Sequence, residues 1–118
     1  MKFVILLTMA LVLAACGGDS GGMSAEAVEG SEISQTSGCA ACHGSSGEGG
    51  IGPAWVGLYE SEIELVDGTT VVADEAYLRE SIVDPQAKLR AGYEIAMPEN
   101  PLTDDEVEKV LEYIKALG

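Results

Sequence analysis

The chain has 118 residues, with 20 Asp and Glu against 6 Lys and Arg and a formal net charge of −14. That length allows one small domain, and that charge excludes nucleic acid as a partner, because nothing on the chain neutralises phosphates. Aromatic residues make up only 5%, which leaves a thin core for a domain of this size.

Residues 1–15, MKFVILLTMALVLAA, carry one positive charge at Lys2, an apolar run from Phe3 to Leu13 and then small residues. The run is too short to span a bilayer and has the length of a signal-peptide core. The four residues Leu13-Ala14-Ala15-Cys16 resemble the lipobox of bacterial lipoproteins. That resemblance implies a mature chain that begins at an acylated Cys16. One acyl chain contributes about 0.8 kcal/mol per buried methylene and anchors only marginally, whereas the three chains of that family suffice. Cleavage by an ordinary signal peptidase, with Cys16 left free, is the alternative. Loss of residues 1–15 removes only Lys2 among the charges and takes −14 to −15.

Residues 16–30 then read as the lipidated cysteine and a flexible tether of small, polar residues without apolar period. The domain is expected over 31–118. A short first helix runs from about Ser31 into Cys39, with Ile33 its only large apolar residue. Further on, alternating apolar residues flank Asp67-Gly68 in IELVDGTTVV and predict a small β-hairpin. Asp74 is a good N-cap for a second helix through EAYLRESIV, which Asp84-Pro85 ends, with Leu78 and Ile82 one turn apart. The third helix has Thr103 as cap, Glu106 completing a capping box and Leu102 with Val107 as a staple. Val107, Val110, Leu111, Ile114 and Leu117 form its apolar face.

Nearly all the soft-ligand chemistry sits in GCAACHGSSGEGGIGP, residues 38–53. Cys39-Ala40-Ala41-Cys42-His43 is C-x-x-C-H, the attachment pattern for a c-type haem. Two thiols at this spacing each reach one vinyl group of a porphyrin and form thioethers, and the next residue places an imidazole beneath the iron. One covalent haem c also supplies the apolar mass that the core lacks. A zinc site needs a fourth ligand, and the chain has no second histidine. A thioredoxin-like dithiol needs a βαβ context that the surroundings do not offer.

For a sixth ligand, Met1 and Met9 fall in the leader and Met23 in the tether, so Met97 is the methionine left in the domain. Thioether ligation opposite histidine raises a reduction potential and suits electron transfer. Plain core filling is the other common use of a lone methionine. Trp55 and Tyr93 are candidates for packing against the haem or reaching a propionate, with ordinary packing as the alternative. Arg79, Lys88 and Arg90 are cations that could neutralise propionates; for Arg79 the favoured alternative is solvation or pairing with Glu75 on its own helix.

GCAACHGSSGEGGIGPAWVGL and DGTTVVADEAYLRESIVDPQAKLRAGYEIAMP, with LTDDEVEKVLEYIKALG, resemble class I cytochrome c. More narrowly, they are similar to the cytochrome c domain fused to subunit II of haem–copper oxidases. The copper domain and membrane helices of that subunit have no counterpart here, so the likeness is to a domain.

The resemblance implies a mainly α fold of about three to four helices around the haem, with Cys39 and Cys42 as attachment points and His43 and Met97 as axial ligands. Pro53 would offer its carbonyl to the other imidazole nitrogen. The glycines from Gly44 to Gly57 would let the backbone pass close to the porphyrin. The first-helix aromatic usual in the family is replaced by Ser34, which predicts a looser crossing with the last helix, where Tyr113 is retained.

The expected function is that of a monohaem electron carrier rather than an enzyme. It would be lipid-anchored in a bacterial cell envelope and face the periplasm or exterior. Expected partners are the membrane and redox proteins such as a quinol-oxidising complex or cytochrome oxidase, with no small-molecule substrate. A fixed electron-relay subunit of alternative complex III or an oxidase, and a haem-based gas sensor, are the alternative readings.

Overall fold

The computed structural model describes residues 22–118. The elements, in order, are α1 (Ala25–Thr36), α2 (Ala40–His43), β1 (Glu62–Glu64), β2 (Thr70–Val72), α3 (Glu75–Val83) and α4 (Asp104–Ala116). The expected mainly α architecture with one small hairpin is what the chain adopts.

α1 begins at Ala25, well before the expected Ser31, so residues 25–30 are helix rather than tether. Ser24 caps it by accepting from the Ala27 backbone N–H at 3.1 Å. Its buried residues are Ala27, Gly30 and Ser34. That spacing is a helical stripe, but one of small residues, which carries almost no hydrophobic signal and hid the start of the helix.

The small stripe sets the crossing with α4. A Cβ on Gly30 would stand 1.9 Å from the Lys109 carbonyl oxygen and 3.0 Å from the Tyr113 Cβ, so the two backbones meet with no room for a side chain. Ser34 is 1% exposed and turns its hydroxyl back onto the Ser31 carbonyl at 2.7 Å. The crossing is therefore tight, not loose: small residues bring the helices together where an aromatic would hold them apart. Lys109 then reaches Glu29 of α1 and Asp105 of its own helix, each at 2.8 Å.

α4 starts as expected. The Thr103 hydroxyl accepts from the Glu106 N–H, and the Glu106 carboxylate accepts from the Thr103 N–H at 2.8 Å. Val107, Val110, Leu111 and Ile114 are buried, joined by Tyr113, while Leu117 packs at the margin. α3 is likewise capped by Asp74, whose carboxylate accepts from the Tyr77 N–H at 2.8 Å. It buries Leu78 and Ile82 against α4 and stops before Pro85, where Asp84 has left helical geometry. Arg79 pairs with Glu108 of α4 rather than with Glu75, and Glu75 is taken by Lys115 at 2.5 Å. The helix faces are turned so that these side chains meet across the α3–α4 contact.

β1 and β2 pair antiparallel in the register Glu62 to Val72, Ile63 to Val71 and Glu64 to Thr70. Ile63 faces the core. The Asp67 carboxylate accepts from both the N–H and the hydroxyl of Thr69, and Gly68 takes φ +84° to complete the turn. The chain after α3 returns to this hairpin. Val66 N–H donates to the Leu89 carbonyl and Ala91 N–H to the Glu64 carbonyl, each at 2.9 Å. That return fixes where the segment leading to Met97 begins.

Two outcomes follow from these contacts. Gly30→Val places a side chain in the Lys109 backbone and should lower the unfolding free energy of the protein by about 1–3 kcal/mol; an unchanged urea midpoint would show that the helices separate freely. The second concerns acid. The Thr103 N–H and hydroxyl hold the Glu106 carboxyl below its ordinary value. A lowered folded pKa adds stability that is complete above the unfolded value near about 4.3 and is lost as pH falls through the folded value. Glu106→Gln should therefore flatten the acid decline in stability, and an identical decline in both proteins would show that this carboxylate carries none of it.

Candidate functional site

Cys39, Cys42 and His43 are brought together by a single turn. Cys39 already has helical geometry at the entrance to α2, and its carbonyl accepts from the N–H groups of Cys42 at 3.1 Å and His43 at 3.0 Å. Residues three and four apart share a helix face, so both thiols and the imidazole look the same way. Neither thiol is in a disulfide, and both are half-buried. Burial pushes the Cys39 thiol above its ordinary value, with the nearby Cys42 adding to the shift and a backbone hydrogen bond opposing it.

The following loop folds back over this turn. Gly44 ends α2 at φ +89°, and the Gly49 and Gly52 N–H groups return to the His43 and Cys42 carbonyls at 2.7 and 2.9 Å. The loop thereby delivers the Pro53 carbonyl to His43 Nδ1 at 2.8 Å, as the resemblance implied. A carbonyl only accepts, so Nδ1 carries the proton and Nε2 keeps its lone pair.

Burial holds the His43 pKa below its ordinary value against the opposing Pro53 bond. The ring is therefore neutral near pH 7 and free to ligate. Gly52 passes so close that a Cβ would stand 3.0 Å from His43 Cε1. It is the glycine of the Gly44–Gly57 run that lines the cleft. Gly44, Gly47, Gly49 and Gly57 serve turns at positive φ instead.

Trp55 is buried and stacks on the imidazole, with centroids 4.7 Å apart and planes inclined at 23°. Its other contact is edge-on to Tyr113 of α4 at 6.0 Å. The aromatic retained in the last helix thus reaches the histidine through the tryptophan.

These groups form one wall of a cleft of about 290 Å³, whose remaining lining includes Leu78, Ser81 and Ile82 of α3 and, in the loop before α4, Met97. Met97 is half-buried, and its loop is tied to the end of α3. Gln86 Nε2 donates to the Met97 carbonyl at 3.1 Å, and Asn100 Nδ2 donates to the Ile82 carbonyl at 2.8 Å. Neither amide announces itself in the sequence, since each acts on a backbone distant along the chain.

The mouth of the cleft carries Lys88, Arg90 and Tyr93. Tyr93 is exposed, and the Arg90 guanidinium lies over its ring at 5.6 Å. Lys88 pairs with Glu80. Among the described residues Arg90 is the cation with no carboxylate in ion-pair range, whereas Arg79 is turned to Glu108 and does not line the cleft.

The site fits a flat, largely apolar macrocycle. It offers two thiols, a neutral imidazole with a free nitrogen and a thioether, all in one apolar cleft. Among the described residues no three His, Cys, Asp or Glu side chains converge as a metal cluster, and none of the helices is long and apolar enough to cross a membrane. Cys16 and the leader lie outside the described residues.

A comparison with curated proteins gives no match. The family model for cytochrome c matches residues 27–118, a span that starts inside α1 and takes in the whole cleft. The chain belongs to the cytochrome c family, a family of electron-transferring proteins that bind haem covalently.

Proposed function

We propose that this cytochrome c is a monohaem, membrane-tethered carrier that passes single electrons between respiratory-chain proteins at the surface of a bacterial cell envelope. The observation that carries the reading is the convergence of Cys39, Cys42, His43 and Met97 on one cleft, with His43 Nδ1 committed to Pro53. When bound, haem iron supplies reversible one-electron chemistry. Cys39 and Cys42 would hold the group as thioethers, and His43 Nε2 and the Met97 sulfur would be its two axial ligands. Pro53 fixes the imidazole plane and increases its basicity. Trp55 and Gly52 pack against the imidazole, and Arg90 in the cleft lining would be the cation to meet a propionate.

With His43 and Met97 both as ligands, the iron would keep no position for a substrate, which favours a carrier over an enzyme or a gas sensor. The CAACHG and AGYEIAMP motifs support kinship with oxidase-linked domains of the family. Lipidation at Cys16 would confine the carrier to the membrane surface and raise its effective concentration near membrane-bound partners. An acidic surface of this size favours a partner with a basic docking face.

Covalent haem staining on a denaturing gel tests attachment, and Met97→Ala tests ligation. That substitution should lower the reduction potential by on the order of 0.1 V, within the roughly 0.8 V that axial ligands span, and should let carbon monoxide bind the reduced protein. An unchanged potential would reduce Met97 to core filler. Cys16→Ser should move the protein from the membrane to the soluble fraction, and continued sedimentation with membranes would rule out the lipid as its anchor.

A further inference from the structure

The bond from His43 Nδ1 to the Pro53 carbonyl, at 2.8 Å, sets the mean plane of the imidazole, but it acts at one atom. A hydrogen bond keeps most of its strength while the angle at the donor stays above about 150°, so the ring can swing by roughly 30° at little cost. Holding it more narrowly takes a contact on the face of the ring. The fold supplies that contact and braces it from behind.

Trp55 lies over the imidazole with centroids 4.7 Å apart and planes inclined at 23°. The indole is itself immobilised. Its residue's backbone N–H donates to the Gly47 carbonyl at 2.8 Å, and a Cβ on Gly47 would stand 3.2 Å from the Trp55 Cβ. On a further side the indole meets Tyr113 edge-on, at 6.0 Å and 86°. An offset stack followed by an edge-to-face pair is the arrangement aromatic rings prefer.

Tyr113 carries the brace out of the cleft. It is buried on α4 and does not line the cleft. Its Cβ would stand 3.0 Å from a Cβ on Gly30, so the tyrosine sits at the crossing of α1 with α4. One line of contacts therefore runs from that crossing through Tyr113 and Trp55 to the face of His43.

We propose that Trp55 and Tyr113 are positioning residues for the axial histidine: Tyr113 holds the indole, the indole narrows the swing of the imidazole, and the α1–α4 packing thereby tunes the haem electronically. The inference rests on the reading of His43 as an axial ligand and does not depend on Met97. In ferric low-spin haem the half-filled iron orbital takes its direction from the π system of the imidazole. The ring's angle is then read in the g values and in the shifts of the haem methyl protons, and the orientation of a ligand ring is a lever that surrounding groups hold.

The test compares ferric wild-type holoprotein with Trp55→Leu, Tyr113→Leu, Tyr113→Phe and Val107→Ala by electron paramagnetic resonance and proton NMR, with urea midpoints measured on each. Trp55→Leu should shift and broaden the g values and rearrange the methyl shifts. Tyr113→Leu should move both in the same direction by less, and Tyr113→Phe, which keeps the ring edge, should retain the wild-type pattern. Val107→Ala removes buried volume from α4 outside the cleft lining, so it should lower the urea midpoint and leave both spectra unmoved. If Trp55→Leu does not take up haem, Tyr113→Leu carries the test, because it leaves the indole in place. Wild-type spectra in either leucine variant would overturn the proposal, and so would an equal shift in Val107→Ala, which would make the spectra a record of general loosening. In those cases the hyperfine-shifted ring protons of His43 in the wild-type protein leave its ligation standing. Their absence would overturn ligation and this inference together.

Discussion

The hydrogen bond from His43 Nδ1 to the Pro53 carbonyl is the contact on which the rest of the cleft depends. It fixes the tautomer, the plane of the ring and the nitrogen that faces the cleft. It also requires the backbone to double back within ten residues, and that requirement explains the sequence between the two partners. Gly44 ends the turn, Gly52 passes beside the ring without a side chain, and the N–H groups of Gly49 and Gly52 return to the carbonyls of His43 and Cys42. Trp55 then stacks on the imidazole and hands the contact to Tyr113. A local chemical requirement at one nitrogen is thereby connected to the hydrophobic core of α4.

The second constraint is charge. A chain with 20 acidic and 6 basic residues repels itself, and its cations are placed where folding benefits. Lys109 holds α1 to α4, while Arg79 and Lys115 hold α3 to α4. Each of these pairs is partly exposed, so each is worth little alone. Their position at helix crossings nonetheless offsets repulsion where the elements meet. The backbone contact at Gly30 allows the α1–α4 crossing to be close without large apolar side chains.

Legibility in the sequence followed the range of the interaction. The caps of α3 and α4 were readable because Asp74 with Tyr77, and Thr103 with Glu106, act three residues apart. The hairpin at Asp67-Gly68 and the shared face of Cys39, Cys42 and His43 were readable for the same reason. The start of α1 was not, because Ala27, Gly30 and Ser34 are buried by close backbone approach and not by hydrophobicity. The partner of Arg79 was misread because Glu75, though a turn away, finds Lys115 across the fold. The pairing of residues 89–91 with the hairpin, and the amide ties of Gln86 and Asn100, depend on tertiary placement that no short pattern records. Pro53 was reached through family resemblance, since a separation of ten positions along a loop carries no geometric rule.

The two walls of the cleft are consequently built to different standards. The histidine wall is a contiguous segment closed by several short backbone bonds, a buried tryptophan and a ring stack. The methionine wall is a loop whose described side-chain ties are the two amides, with Ile95 and Tyr93 exposed beside it. Local opening follows the density of buried contacts and protected hydrogen bonds, so the methionine side opens at lower cost. With Met97 as the proposed ligand, loss of its sulfur would change both the potential and the access to the metal. The bonds of Gln86 to the Met97 carbonyl and of Asn100 to the Ile82 carbonyl are therefore the described side-chain ties that keep the methionine wall against the end of α3.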